Sequence, residues 1–209
     1  MADWATISSL ATAGGTLVLA VATFAAVRSS NRAARASERA LLAGIRPVLL
    51  PSRLQDPPEK VGFVDGHWVR VDGGHAIAEV TDEAIYLAIA LRNAGAGLAV
   101  LDRWDFVTER ALTPTHRDPA MFRRLTRDIY VSGSDLGYWQ GAFRDRDDPL
   151  FATAGAAIEE RRSMTIDLLY GDHEGGQRTV SRFALLPASD GSWLASVSRH
   201  WNLDRADPR

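Results

Sequence analysis

Hydrophobic and polar residues follow one pattern near the N-terminus and another in the rest of the chain. After Asp3, residues 4–27 carry no charge over 24 positions and read WATISSLATAGGTLVLAVATFAAV. As an α-helix this run would be about 36 Å long, which exceeds the roughly 30 Å of a bilayer's hydrocarbon core. Trp4 stands at the edge of the run, where aromatic side chains anchor membrane helices. The pattern therefore predicts a single transmembrane helix.

Two other interpretations of the apolar run stay open from the sequence. A signal peptide needs basic residues before the run, and only Asp3 is found there, although Ala20-Val21-Ala22 resembles a cleavage site. A buried helix of a soluble domain is the other interpretation, and a run of 24 uncharged residues is long for such a helix. The transmembrane helix is favoured over both.

Positive charge is concentrated directly after the apolar run. Residues 28–46 contain five Arg residues and one acid, Glu38, whereas residues 47–209 carry 19 basic and 24 acidic residues. The positive-inside rule then places the N-terminus outside a bacterial cell membrane and the C-terminal domain in the cytoplasm. Four of these Arg residues have the spacing of one helix face, and they are predicted to lie at the membrane surface with Trp4. They are Arg28, Arg32, Arg35 and Arg39.

The Ala-rich sequence around the Arg residues predicts that the helix continues to about Ala43 and ends near Gly44. Because the Arg face would leave the bilayer beside lipid headgroups, we expect anionic lipids among its partners; a solvated linker helix is the alternative. Small residues also recur at every fourth position of the apolar run, which allows close helix–helix contact and a homo-oligomer. They are Ser8, Thr12, Thr16 and Ala20.

From Pro47 onwards the pattern changes from helical to alternating. Residues 61–71 (VGFVDGHWVRV) predict a β-hairpin with a two-residue turn at Asp65-Gly66. Residues 162–171 and 177–185 predict a second hairpin around the turn DHEGG. Further alternating segments are found at residues 46–50, 75–80, 83–93, 98–109 and 192–201.

Short strands separated by turn residues, without long helices between them, indicate an antiparallel β-sandwich rather than a parallel α/β sheet. The predicted fold is therefore mainly β. A transmembrane and juxtamembrane helix is expected over residues 1–45, and an immunoglobulin-like β-sandwich with a helical insertion over residues 46–203. Residues 204–209 are expected to form a disordered tail.

The extra length of the β domain lies between Arg110 and Glu160. Asp118 and Pro119 are typical of a helix N-terminus, so residues 120–128 (AMFRRLTRD) are predicted to form a short helix. A segment rich in Gly, Asp and aromatic residues follows, and long insertions often carry binding surfaces. The candidate ligand-binding or partner-binding residues are Tyr138, Trp139, Phe143, Arg144 and Arg146. The aromatic residues among them could instead attach the loop to the edge of the sheet.

Composition limits the functions that the domain can have. The chain has no Cys, which excludes disulfide frameworks, thiol nucleophiles, Fe–S clusters and Cys-ligated zinc. A net charge of −2 and an isoelectric point of 6.2 argue against a general nucleic-acid binder. Every basic residue except Lys60 is Arg, as the codons of a GC-rich genome favour. That preference explains the identity of the Arg residues and leaves their clustering unexplained.

Motifs of enzymes and metal sites are missing from the sequence, including the P-loop, HExxH and GxSxG patterns. Residues 93–97 (NAGAG) resemble the start of a dinucleotide-binding loop, but a strand pattern follows them, so a turn between strands is favoured. The acids at 145, 147 and 148 are expected in a solvated loop, and residues 172–174 (DHE) at a hairpin tip. We predict no catalytic residue, no metal site and no cofactor.

Several segments carry a resemblance to known sequences: RPVLLP, LRNAGAGLA, DLLYGDHEGGQR and SRHWNLDR. With the apolar helix and the Arg/Ala helix, they make the chain similar to a loose group of uncharacterised membrane-anchored proteins from GC-rich bacteria. The resemblance implies an anchored β-sandwich in which LRNAGAGLA begins a turn between strands and the tyrosine-to-arginine hairpin closes the sheet. It implies no reaction and no site residues.

Three functions are compatible with the sequence. The favoured one is a non-enzymatic, single-pass membrane protein whose cytoplasmic sandwich binds a partner or assembles at the membrane. The second is an exported or surface-anchored sandwich that binds a ligand such as a carbohydrate near Tyr138 and Trp139. The third is a hydrolase that uses the 110–160 insertion, for which a deep pocket holding His116 or His173 beside a carboxylate would be the structural sign.

Overall fold

The computed structural model describes residues 3–205, apart from the side chains of residues 4–7 and 11. The side chain of Trp4, which the sequence assigns to the membrane surface, and residues 206–209 of the expected tail therefore lie outside the described part. The chain forms two units, Met1–Ala43 and Gly44–Arg209. The first unit is chiefly one helix, and the second is the β domain.

Helix α1 runs without interruption from Trp4 to Gly44, which joins the apolar run and the Arg-rich segment in 41 residues. Within residues 3–205, it is the one helix long and apolar enough to cross a membrane. The described side chains from Ser8 onwards are all exposed. The hydroxyls of Thr12 and Thr16 donate to carbonyl oxygens four residues earlier, each at 2.9 Å, which satisfies these polar groups inside an apolar surface. The predicted end of the helix near Gly44 is confirmed.

As far as Arg205, the last described residue, the β domain consists of eleven strands, one 3₁₀ turn (Pro119–Met121) and a second helix. The strands are β1 Leu49–Pro51, β2 Glu59–Gly62, β3 Trp68–Val71, β4 His75–Val80, β5 Ile85–Asn93, β6 Ala99–Val107, β7 Arg123–Val131, β8 Leu136–Phe143, β9 Met164–Gly171, β10 Thr179–Pro187 and β11 Trp193–Asn202. Helix α2 is Pro149–Glu159. Strand makes up 40% and helix 25% of the residues, which confirms the mainly β prediction.

In the described part of the chain, nine strands form one curled antiparallel sheet, and eight of them follow the order β8-β5-β4-β11-β10-β9-β6-β7. The ninth is β1. Strand β1 pairs with the end of β5 that β4 leaves free. The predicted hairpin of β9 and β10 is confirmed, with Met164 opposite Leu185 and Tyr170 opposite Thr179. Strands β2 and β3 form a separate two-stranded ribbon.

Strand β5 is buried on both faces and connects the two main layers of packing. Its alternating residues Ile85, Leu87, Ile89 and Leu91 belong to the core inside the curled sheet. The residues between them pack against the apolar side of the β2–β3 ribbon. Because both faces are covered, β5 reads as a continuous apolar run in the sequence.

The helix predicted over residues 120–128 is wrong. Asp118 does begin a helical turn, since its Oδ1 accepts a hydrogen bond from Ala120 N at 2.9 Å, but the turn ends at Met121. Residues 123–131 are strand β7 instead, and they pair with β6. Ile129 and Val131, two residues apart, are both buried, which is the period of a strand. Pairing and burial at the far end of this segment outweigh the cap signal at its start.

Helix α2 is the helical part of the insertion, and the sequence patterns did not locate it. Its start has the same signature as the 3₁₀ turn, because Asp148 Oδ1 accepts from Leu150 N at 2.9 Å and Pro149 follows. Ala154, Ala157 and Ile158 join the core inside the sheet. The helix therefore packs against the core through one apolar face.

The first hairpin has a longer connection than predicted. Gly62 pairs with Trp68, so residues 63–67 form a five-residue loop rather than a two-residue turn. Gly66 has φ +85°, a left-handed conformation that glycine adopts readily. Asp65 is held in this loop by Tyr86, whose hydroxyl donates to Asp65 Oδ2 at 2.9 Å.

The NAGAG segment is a turn between β5 and β6, as favoured from the sequence. Asn93 Oδ1 accepts from Val48 N and from Gly95 N, both at 3.0 Å. A Cβ atom on Gly95 would lie 2.0 Å from the carbonyl oxygen of Arg46, and one on Gly97 1.8 Å from that of Ile45. The glycines are needed because residues 45–48 pass directly over this turn.

Candidate functional site

A cleft between β7 and β8 is the best candidate for a functional site. The two strands are joined by a short turn in the sequence, yet β7 pairs with β6 and β8 pairs with β5. Near the turn they are close, since a Cβ atom on Gly137 would lie 2.8 Å from Val131 Cγ2. Further from the turn a cavity of about 110 Å³ lies between residues 123–126 and residues 140–142.

An irregularity in β7 shapes this cleft. Ile129 pairs with Leu101 and Arg124 pairs with Arg103, so residues 125–128 have a single residue opposite them on β6. Such an insertion bends a strand away from its sheet. Arg127, within the inserted segment, donates from Nη2 to the carbonyl oxygen of Gly62 at 2.9 Å and to the Tyr138 hydroxyl at 3.3 Å. Arg127 therefore connects β7, β8 and the ribbon at one side of the cleft.

Arg123 and Arg144 line the cavity and are both held by carboxylates. Arg123 forms a two-pronged ion pair with Asp148, with Nη2 2.9 Å from Oδ1, and its guanidinium lies 4.9 Å from the centre of the Phe143 ring. The hydrogen bonds from Arg123 lower the pKa of Asp148. Arg144 Nε donates to Asp65 Oδ2 at 2.8 Å.

The carboxyl of Asp65 has opposing influences on its pKa. Burial raises the pKa of Asp65, but hydrogen bonds from Arg144, Tyr86 and the backbone of His67 together outweigh burial and lower it. Asp65 therefore stays ionised and keeps Arg144 in place. With Arg123 held by Asp148, two of the three Arg residues at the cavity are already neutralised.

Three polar side chains of the cavity, those of Arg124, Thr126 and Gln140, make no hydrogen bond within residues 3–205. Arg124 is exposed and makes no hydrogen bond or ion pair with any residue in the described range 3–205. Gln140 is only 4% exposed, and its Oε1 is fully buried without a hydrogen-bond partner. Nearly all buried polar groups in folded proteins are hydrogen-bonded, so an unpaired buried amide calls for an explanation.

The candidate binding residues from the sequence take three different positions. Trp139 and Phe143 lie in the core behind the cavity, where Trp104 packs edge-on against both. Tyr138 is half-buried and accepts a hydrogen bond from Arg127. Arg144 lines the cavity, while Arg146 donates to the carbonyl oxygen of Asp82. Arg144 is therefore the candidate that the structure places at the cleft surface.

Sequence patterns missed Arg123, Arg124 and Gln140. The cap signal at Asp118 predicts a helix for the two Arg residues, in which they would not share a cleft with β8. A two-residue period over residues 123–131 is the signal that indicates the strand. Gln140 carries no motif in the sequence. On α1 the predicted membrane-surface residues Arg28, Arg32, Arg35 and Arg39 are all exposed, and the small residues Ser8, Thr12, Thr16 and Ala20 line one shallow groove.

A second polar cluster lies on the outer face of the sheet, under residues 109–117. Neighbouring strands bring Asp105, Asp167, Arg182 and Arg199 into one row. Arg182 binds Asp167 through two hydrogen bonds, of 2.8 Å from Nε and 2.7 Å from Nη2, with side chains 5% and 2% exposed. Burial raises the pKa of Asp105, although Arg117 Nη1 lies 3.3 Å from its Oδ1.

This cluster holds the covering loop in place. Arg182 donates from Nη1 to the carbonyl oxygen of Thr113 at 3.0 Å and from Nη2 to that of Thr115 at 3.2 Å. His116 lies beside the same open depression, but its Nδ1 is 2.6 Å from the carbonyl oxygen of Arg117. Within the described residues, His116 has no hydrogen bond to a carboxylate, so the arrangement of a general base and its orienting acid is not formed.

A third polar group is enclosed inside the sheet. Ser181 Oγ lies 2.8 Å from the Tyr170 hydroxyl and 2.6 Å from His200 Nδ1. Tyr170 also accepts a hydrogen bond from Leu49 N at 3.1 Å, which attaches β1 to the sheet. Burial lowers the pKa of His200, so the imidazole is neutral. Ser181 is completely buried, which keeps its hydroxyl away from any substrate.

Acidic clusters named from the sequence have structural roles here. Asp148 caps α2 and binds Arg123, and Asp145 Oδ1 accepts from Asp147 N at 2.9 Å. Asp172 Oδ1 accepts from Glu174 N and Gly176 N, which fixes the tip of the β9–β10 hairpin. Over the described part of the chain, no three His or acidic residues gather in a way that could hold a metal ion.

Comparisons with known protein families, with curated proteins and with solved structures find no match to this chain. No relative therefore supplies a function, and the geometry of α1 and of the cleft is the basis for proposing one.

Proposed function

We propose that this chain is a non-enzymatic, single-pass membrane protein whose cytoplasmic β domain binds a partner at the membrane. The observation that carries the proposal is the apolar surface of α1. Leu10, Leu17, Leu19 and Phe24 are each 67–68% exposed, and no charge occurs between residues 4 and 27. A continuous apolar surface of this length is unfavourable in water and is well solvated by the hydrocarbon core of a bilayer.

The cytoplasmic orientation is supported by charge. The exposed Arg residues 28, 32, 35 and 39 come after the apolar part of α1 and lie on one helix face. Basic residues next to a membrane span favour the cytoplasmic side, and each is worth about 1 kcal/mol near anionic lipids. We therefore propose anionic headgroups as partners of this helix face.

Partner binding, rather than catalysis, is supported by the state of the polar groups in the β domain. Arg182, Asp167 and Ser181 are buried and use their polar atoms in holding loops and strands. At the cleft of β7 and β8, by contrast, the side chains of Arg124 and Gln140 make no hydrogen bond within residues 3–205. Their N–H groups are donors without a partner, and a surface with such donors is suited to binding a further group.

We also propose that the β domain is a sandwich of the immunoglobulin-like type. Support comes from the face-to-face packing of the β2–β3 ribbon on β5 and from antiparallel pairing throughout the described strands. An experimental structure of the full chain tests this. Strands closing into one continuous barrel would contradict a sandwich.

Membrane extraction tests the anchor. The full-length protein, expressed in bacteria, should stay in the membrane pellet after a carbonate wash and enter solution with detergent. A variant with Leu17→Arg and Leu19→Arg is the matched control, because it puts two charges at the centre of the span and should release the protein. Release of the unmodified protein by carbonate alone would contradict the anchor.

Protease protection tests the orientation. A protease added to intact cells with a permeable outer layer should leave the β domain whole, and should cleave it once the cell membrane is opened. Cleavage in intact cells would show an exported domain. A mature N-terminus near residues 23–28 would show that the apolar segment is a removed signal peptide, which favours the exported ligand-binding alternative.

A further inference from the structure

We propose that the cleft between β7 and β8 is a carboxylate-binding site that takes an acidic side chain from an extended segment of a protein partner. This inference rests on the proposed partner-binding function and adds the chemical class of the partner. The site consists of Arg124 and Gln140, with Arg123 and Arg144 at its sides.

The first support is the unsatisfied amide of Gln140. Its Oε1 is fully buried without a partner, and the amide nitrogen forms no hydrogen bond within residues 3–205. The buried oxygen is an acceptor, and in the free protein its hydrogen bond to water is lost and not replaced. The nitrogen Nε2 is a donor without a partner, and a ligand that accepts a hydrogen bond from it would pair this donor.

The second support is the charge at the cavity. Asp148 and Asp65 neutralise Arg123 and Arg144 and fix them at the sides of the cleft, so Arg124 is the Arg of the cavity that has no ion pair among the described residues. A guanidinium and an amide are both planar groups with N–H donors, and together they match a planar carboxylate. An acidic group is therefore the complement of this site.

The third support is the size of the cavity. A volume of about 110 Å³ is well below the roughly 300–1,000 Å³ of pockets that enclose a whole small molecule. The space suits one side-chain group, with the rest of its molecule outside. Phe63 and Trp104 give the cavity apolar walls, so a bound carboxylate would be partly withdrawn from water.

The fourth support is that, among the described strands, β7 and β8 each have one unpaired edge. In the sheet, β7 is paired on one side by β6, and β8 on one side by β5, so each has a second edge facing the cleft. Unpaired strand edges bind extended segments through main-chain hydrogen bonds. An extended segment with alternating acidic residues that lies across the mouth of the cleft would pair with one strand edge and place one acidic side chain in the cavity, and we commit to this occupant.

A peptide titration tests the site. The full-length protein in neutral detergent micelles is titrated with an extended, end-blocked peptide of alternating Glu and Val, and binding is measured by calorimetry. We expect the matched Gln/Val peptide to bind at least about tenfold more weakly, since charge-assisted hydrogen bonds are stronger than neutral ones. Equal binding of the two peptides would overturn the carboxylate assignment.

Substitutions locate the binding in the cleft. Arg124→Gln should weaken binding of the Glu/Val peptide about tenfold, while Arg53→Gln, at an exposed Arg whose side chain lies outside the cavity, should leave it unchanged. Equal loss in both variants would indicate attraction to overall charge and would overturn the site.

Gln140→Met separates binding from structure. Because the amide has no hydrogen bond in the free protein, a side chain of similar shape without polar atoms should keep or raise the melting temperature. We expect the same variant to bind the Glu/Val peptide about tenfold more weakly. A lower melting temperature with unchanged binding would show that Gln140 is a structural residue, and the proposal would be wrong.

Two competition measurements distinguish a protein carboxylate from a free carboxylate and from an anionic lipid. Sodium acetate should compete with the peptide only at far higher concentration, because it lacks the strand-edge contacts. Phosphatidylglycerol vesicles should not displace the peptide. Displacement by vesicles at equal anion concentration would make the cleft a lipid site and would overturn the proposal.

Failure of this inference is distinguishable from failure of the proposed function. A partner crosslinked to the wild-type protein in membranes and equally to Arg124→Gln would leave the partner-binding function intact and contradict the cleft. Binding of the Glu/Val peptide with the expected variant pattern, but no partner in membranes, would support the cleft and contradict the proposed function.

Discussion

Two groups of Arg side chains on the same sheet differ in how completely they are paired. Under residues 109–117, Arg182 is buried with Asp167 and also donates to two backbone carbonyls. In the cleft, Arg124 is exposed and Gln140 Oε1 is buried, and neither side chain makes a hydrogen bond within the described part of the chain. The first group stabilises a loop. The second gives up some stability and leaves donors available, which is the expected condition of a binding surface.

Removing one partner of the buried pair tests the first half of this comparison and has the largest expected effect. Asp167→Ala leaves the Arg182 guanidinium buried without its carboxylate, so we expect the free energy of unfolding to fall by about 3–5 kcal/mol. Denaturant titration of the full chain in micelles, followed by tryptophan fluorescence, measures this. A loss below about 1 kcal/mol would mean that the pair is effectively solvated.

A larger side chain at Gly141, in the wall of the cleft, is expected to have the next largest effect on the free energy of unfolding. A Cβ atom on Gly141 would lie 2.7 Å from the Trp139 ring and 3.1 Å from the Trp104 ring. Gly141→Ala should therefore cost about 1–3 kcal/mol in the same denaturant titration, because these rings cannot move freely in a packed core.

Gly155→Ala in α2 is the matched control for that substitution. Its Cβ would meet only Ile85 Cδ1, at an ordinary 3.7 Å. Alanine in a helix is favoured over glycine, so we expect a gain of about 0.5–1 kcal/mol. Equal effects of the two alanine substitutions would show that the wall of the cleft adapts.

The contribution of the Arg123–Asp148 ion pair to stability should depend on pH. Hydrogen bonds from Arg123 lower the pKa of Asp148, so its contribution is complete above the ordinary value of 3.8 and is lost as the pH falls through the lower folded value. Asp148→Asn keeps a capping side chain for α2 and removes the charge. We expect it to lower stability by about 0.5–1 kcal/mol at pH 7.

The difference between wild type and Asp148→Asn should shrink as the pH falls below 3.8. Melting temperatures of both proteins over a pH series measure this trend. A difference that stays constant down to the lowest pH would assign the effect to packing of the side chain and not to its charge.

The smallest effect on stability is expected at Arg124. Because this side chain makes no bond or ion pair in the described structure, Arg124→Gln should change the free energy of unfolding by no more than about 0.5 kcal/mol. The measurement is the denaturant titration used for Asp167→Ala. A loss as large as that of the buried pair would mean that Arg124 has a structural partner, and the contrast between the two groups would disappear.

Much of the fold can be predicted from local patterns. The uncharged run and the Ala/Arg spacing predicted the end of α1 to within about one residue, and two-residue periodicity predicted the bounds of β5, β9 and β10 within about two residues. The error at β7 has a clear cause. Asp118-Pro119 and Asp148-Pro149 are the same cap signal, and only the segment after the second one is helical over more than a turn. A cap shows where a helix could begin, while its length depends on tertiary pairing.

The cleft was less accessible to sequence patterns. Its walls come from strands that pair away from each other and from an inserted segment of β7, and neither feature has a local signature. Trp139 and Phe143 are aromatic residues of a polar segment, which is typical of a binding surface, yet the side chains of both lie in the core. Gln140, between them in the sequence, stands out only once its unpaired amide is seen.

The path of the chain at residues 45–49 has a mechanical consequence. Any pull on α1 must reach the β domain through these residues, which lie over the Gly95 and Gly97 backbone. Val48 is held twice, by donating to Asn93 Oδ1 at 3.0 Å and by accepting from Ala94 N at 2.7 Å, and the next residue donates to the Tyr170 hydroxyl. A force on α1 is therefore divided between strand β5 and Tyr170 inside the sheet, so the hydrogen bonds of residues 45–49 keep it from acting on one strand end alone.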